Sequence, residues 1–158
     1  MAIYMKYGDV TGDATQKGFG DLINIDHFHW EVNRAVVKQP AGRGTTREAK
    51  KPELGPFDVT KDADSASTGL LYETCCKSKP MKCEISFVRT GEEKAYMTYT
   101  FYEALITKIT TATGGDGRQA EVVTFDFTAV EAMVYPIEKD NQRGNPSPFP
   151  YFRLFDDK

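Results

Sequence analysis

The chain has 158 residues, enough for one domain with a substantial hydrophobic core. Hydrophobic residues make up 40% and charged residues 27%, the balance of a folded globular chain rather than a disordered one. A formal net charge of -3 gives no general case for nucleic acid, and no apolar run is long enough to insert into and cross a membrane.

Residues 3–7 alternate apolar and polar and predict a first strand, followed by a turn and a surface loop to Gly20. Residues 1–9 hold no basic region followed by an apolar segment, so no cleaved secretion signal is expected. A long strand is predicted over 22–34. Its apolar set changes parity, from Ile23 and Ile25 to Phe28, Trp30 and Val32. Period two changes phase only by an inserted residue, so a bulge or sharp bend is expected near Asp26 and His27. Residues 38–56 show no periodicity and carry three prolines and three glycines, which predicts a long structureless loop. Lys38, Arg43, Arg47, Lys50 and Lys51 there face only Glu48 and Glu53, a local balance of +3 that leaves -6 for the rest. A basic arm on an acidic body suits an arm that lies on a neighbouring copy.

A short strand at 57–61 precedes N-cap candidates at residues 64–67 and one amphipathic helix over 67–77, with Leu70, Leu71, Thr74 and Cys75 at helical spacing and basic residues in its last turn. Period-two strands with β-branched and aromatic enrichment then run over 82–89, 94–102, 104–110 and 121–130, with Gly-containing turns at 90–93 and 114–117. Residues 131–138 continue or add a strand, limited by Pro136. The fold class read from these elements is mainly β and antiparallel, with one short α-helix and a long loop. Residues 1–138 form this domain. Residues 139–158 are a Pro-rich linker and an aromatic segment expected to dock on the body or on a neighbour. Phe28, Trp30, Val32, Ile85, Phe87, Phe125 and Phe127 are expected in the core.

Little in the sequence points to catalysis. His27, His29 and Glu31 share one strand face but extend over about 13 Å at ~3.3 Å per residue, so one ion bridges two of them at most. They read as the polar face opposite Phe28 and Trp30. The three cysteines, Cys75, Cys76 and Cys83, are odd in number and read as small hydrophobes rather than a disulfide framework or metal site. Gly114, Gly115 and Gly117 lie between strands and form a turn, not a phosphate cradle. Tyr4, Tyr7, Tyr96 and Tyr102 read as packing. No nucleophile, base and orienter set is present, so no enzyme, metal or cofactor is expected.

Several ordered segments resemble the Hcp family, the haemolysin-coregulated proteins of bacterial type VI secretion. They begin with Tyr7-Gly8-Asp9-Val10-x-Gly12, Ile25-Asp26-x-Phe28-x-Trp30 and Arg47-Glu48-Ala49. Val59-Thr60-Lys61 follows with Asp64-x-Ala66-Ser67, then Phe87-Val88-Arg89-Thr90-Gly91, Gly114-Gly115-Asp116 and Phe125-x-Phe127-Thr128. The resemblance implies a small antiparallel β-barrel of two packed sheets, with one short α-helix alongside and a long protruding loop, that serves as an inner-tube subunit. Six copies close into a ring, rings stack, and effector proteins ride in and are chaperoned by the lumen. Implied partners are further copies of the chain, type VI effectors, and spike and sheath components. Implied localisation is the bacterial cytoplasm before firing and the exterior afterwards. Arg43, Arg47, Glu48, Lys50 and Lys51 then belong to inter-subunit or ring-stacking contacts. His27, His29 and Glu31 face the lumen. The competing reading is a monomeric barrel that binds a small ligand in its interior.

Overall fold

A computed structural model of the chain describes residues 1–41, 44–136 and 143–153. The elements are β1 (Ala2–Tyr7), β2 (Ile23–Ile25), β3 (His27–Asn33), β4 (Val36–Ala41), β5 (Gly44–Ala49), β6 (Glu53–Asp62) and α1 (Ala66–Cys76). They continue as β7 (Met81–Val88), β8 (Ala95–Thr113), β9 (Gln119–Asp126), β10 (Ala129–Val134) and β11 (Ser147–Arg153). The assigned strand partners are antiparallel throughout. The hydrogen-bonded path runs β2-β1-β7-β8-β9-β6-β3, with β10 and β11 added on β8, and β4 and β5 form a separate hairpin. The class is mainly β with one short helix, as the sequence predicts.

Two strands turn corners. The predicted phase change falls at Asp26, which separates β2 from β3. β2 pairs with β1, whereas β3 pairs with β6. The second corner lies in β8. The segments expected as two strands, 94–102 and 104–110, are one strand of 19 residues. Its first half pairs with β7 and β10 and its second half with β9. The register slips between Met81 and Cys83 of β7, opposite Tyr102 and Glu103, and Glu103 has a φ of 52°. An extra residue with left-handed backbone bends the strand from one sheet into the other. The sheets therefore share chain at two corners.

The core is aromatic. Phe57 lies between Phe101 and Phe125, with ring centroids 4.0 and 4.8 Å away and interplanar angles of 22° and 8°. Tyr7 meets Phe125 edge-on at 5.1 Å, and its hydroxyl donates to the carbonyl of Ala104 at 3.2 Å. Ile85, Phe125 and Phe127 are buried; Phe28, Trp30 and Phe87 are partly buried and packed against the same cluster. Val32 differs from expectation and is 49% exposed. Opposite Glu31, β6 inserts an extra residue at Gly55 and Pro56. Proline has no N–H for the ladder and sits where pairing is broken. Val32 keeps the face of Phe28 and Trp30 and is exposed because it lies at an open apolar mouth.

Two further expectations are corrected. Residues 38–56 are not a structureless loop. Val36–Ala41 and Gly44–Ala49 pair as a hairpin, and β6 begins at Glu53, before the predicted short strand. The helix begins one residue earlier than predicted and ends at Cys76, so its last turn holds no basic residue. Lys77 follows at the C-cap and pairs with Glu73 at 2.7 Å. Ala66 and Leu70 are the buried positions of α1. Leu71, Cys75 and Cys76 are exposed rather than packed, whereas Cys83 is buried. Desolvation by burial pushes the Cys83 thiol well above its ordinary pKa.

Candidate assembly surfaces

The first surface is the outer face of the sheet formed by β3, β6, β9 and the second half of β8. Side chains alternate across it, so registry places residues in rows. His29 lies opposite Asp58, Asp58 opposite Thr124, and Thr124 opposite Lys108. The next row is His27, Thr60, Val122 and Thr110. Thr124 Oγ1 donates to Asp58 Oδ1 at 2.6 Å, while His29 Nδ1 stands 4.0 Å from Asp58 Oδ2. His27, His29 and Glu31 are all exposed on β3, with Phe28 and Trp30 turned inward between them. Their extended spacing does not bring them together, and no group of three or more His, Cys, Asp or Glu side chains among the described residues is arranged to hold a metal ion.

The arm is the second surface. Arg47, Glu48, Lys50 and Lys51 are exposed on or just beyond β5; Arg43 lies outside the described residues. Lys38 on β4 is directly opposite Arg47 on β5. Like charges opposite one another destabilise a two-stranded ribbon. A nearby anion would relieve that repulsion.

At the base of the arm the ends of β3 and β6 stand away from β8, β10 and β11 and leave an apolar mouth of about 550 Å³. Trp30, Leu54, Met97, Tyr99, Val134 and Phe149 line it, with Arg34 at its edge. Trp30 Nε1 donates to the carbonyl of Gly55 at 3.0 Å, so its polar edge is satisfied while its ring faces the mouth. β11 supplies Phe149 and Phe152 by pairing with β10, Phe149 opposite Ala132 and Phe152 opposite Val130. Periodicity alone did not reveal this mouth, because its residues belong to five separate strands.

The opposite end of the barrel is closed by α1 and a buried charge cluster. Lys61 Nζ lies 2.7 Å from Asp64 Oδ1 and 3.0 Å from Glu121 Oε2, and it donates to Ser67 Oγ at 3.1 Å. Ser67 Oγ donates in turn to Glu121 at 2.8 Å, and Asp64 Oδ1 accepts from the Ala66 amide at 3.0 Å. Buried charges need such partners on every side. The segments that read 59–61 and 64–67 in the sequence therefore meet as one latch, which fixes the start of α1 to β6 and β9.

The chain is thus a two-sheet barrel with a polar outer face, a charged arm and an apolar mouth. The chain belongs to the Hcp family: residues 4–133 match the family described as "Type VI secretion system effector, Hcp". Among solved structures, a type six secretion system protein superposes with a TM-score of 0.86 at 22% identity, covering 99% of this chain and 98% of the other. A type VI secretion system effector from Yersinia pestis gives 0.72 at 19% identity over 96% and 99% of the two chains. Hcp1 from Salmonella typhimurium gives 0.72 at 17% identity over 93% and 91%. These identities speak to the fold. A search among curated proteins found no match.

Proposed function

We propose that the protein is a subunit of the type VI secretion inner tube, a structural rather than enzymatic part. Six copies close into a ring, rings stack, and the tube leaves the cell with effectors in its lumen. The family match over residues 4–133 carries this reading. The surfaces support it. The row of His29, Asp58, Thr124 and Lys108, with His27, Thr60 and Thr110 beside it, makes a polar wall suited to a water-filled lumen. The arm, with Lys38 facing Arg47, is suited to an acidic surface of the neighbouring ring. Spike and sheath components are further partners in this reading. In this reading the subunit is held in the cytoplasm before firing.

Purified chain should run at about six times its 17.7 kDa in light scattering and show rings by negative-stain microscopy. A monomer at every concentration and salt tested overturns the proposal. The apolar mouth gives the small-ligand barrel one observation in its favour, and the same measurement separates the two, because that barrel has no need of a ring.

A further inference from the structure

Among the described residues, seven large hydrophobic side chains other than Met1 are exposed, and five of them fall at two places. Val32, Val134 and Phe149 line the mouth. Val36 begins β4, and Tyr151 packs edge-on against Tyr102, ring centroids 5.1 Å apart. The remaining two, Leu71 and Tyr72, lie on the outward side of α1 and are 53% and 55% exposed. Apolar surface left in water is unfavourable in proportion to its area, and a cluster of it marks a contact.

The two places differ in shape and in position. The mouth is concave, whereas α1 presents the convex side of a helix. β6 leads from one to the other: Leu54 near its start lines the mouth, and Lys61 near its end holds the start of α1. Ten residues of strand separate the two ends by roughly 30 Å at ~3.3 Å per residue. One copy therefore cannot bring its own helix to its own mouth. Strand pairing points the same way. β3, which lines the mouth, pairs only with β6 among the described residues, and the second half of β8, the strand α1 packs against, pairs only with β9. Each place thus adjoins an edge without a strand partner.

We propose that the mouth of each copy receives the outward side of α1 from the next copy, with Leu71 and Tyr72 entering between Trp30, Leu54 and Phe149. The contact is head-to-tail: it uses the helix of one copy and the mouth of the other, and leaves one of each free. Repeated contacts of this kind close a ring when the rotation allows. The inference rests on the ring reading above and names the surfaces that close it.

The test uses the full chain with Leu71→Glu and, separately, Val134→Glu. Both side chains are exposed in a single copy, so the fold should persist, checked by thermal melting. Val32→Glu and Tyr72→Glu serve if either fails to fold. Wild type should form rings, and each variant alone should be a monomer at the same concentration. An equimolar mixture should give dimers of about twice 17.7 kDa and no larger species, because one variant keeps its mouth and the other its helix. Rings that persist in both variants, or a mixture that stays monomeric, overturn the inference while leaving the tube reading intact. Wild type that is itself monomeric overturns both. Rings in both variants, together with binding of an apolar fluorescent dye that only Val134→Glu loses, would assign the mouth to a small ligand instead.

Discussion

Asp26 and Glu103 set the shape of the barrel, because each lets one strand serve two sheets. The first was legible: buried parity switches from odd positions at Ile23 and Ile25 to even ones at Phe28 and Trp30. The second leaves the same mark, since Phe101 is followed by Ala104 and Ile106 among the buried residues. It is harder to read because Tyr102 and Leu105 are also apolar and blur the alternation. Tyr7 sits beside the second corner, its hydroxyl donating to the carbonyl of Ala104. Burial pushes its hydroxyl up to about 12, from about 10 in an unfolded chain. The stability tied to the neutral phenol is thus complete below pH 10 and is lost as pH rises toward 12. Denaturant titrations should show wild type losing on the order of 2 kcal/mol more than Tyr7→Phe across that window. Parallel pH curves for the two would refute this.

At the scale of elements, the β4 and β5 hairpin and α1 are where periodicity misled. Among the side chains described, the hairpin buries none, so little selects an alternating apolar pattern, and its sequence reads as loop. Its pairing rests on backbone bonds and on Val36 and Val37, residues suited to extended chain. Reversing Arg47, Lys50 and Lys51 to Glu should abolish stacked tubes in electron micrographs while rings and melting temperature stay near wild type. Tubes of normal length would free the arm from any role in stacking. In α1 the run Leu70-Leu71-Tyr72 held the missing signal. Consecutive helical residues point about 100° apart, so three apolar neighbours cannot all face one core. Leu70 does, and the next two are left outside.

For the whole molecule, alternation alone gave the class, and the ordered segments gave the family. Part of the reason is now visible: residues 59–61 and 64–67 meet as the Lys61 latch, a point where sequence and geometry constrain each other tightly. The surfaces were less legible. A contact surface is assembled from side chains that are distant in sequence, and the mouth has no local pattern to find. Two kinds of contact should respond oppositely to salt. Charge contacts of the arm are screened within about 3 Å at 1 M salt, whereas apolar contacts are not. Sedimentation at rising salt should therefore show tubes separating into rings while the rings survive. Rings that fall apart before tubes do would reverse the assignment of forces.

β11 bears on how such a chain stays dispersed. It lies at the outer margin of its sheet, with β10 as its partner. Two of its seven residues, Pro148 and Pro150, have no N–H to offer a further strand, and Pro150 falls where the register with β10 slips. A margin of this kind is a poor template for sideways growth into fibres. Phe149 and Tyr151 are thereby held beside β10 on a margin that resists the addition of a further strand.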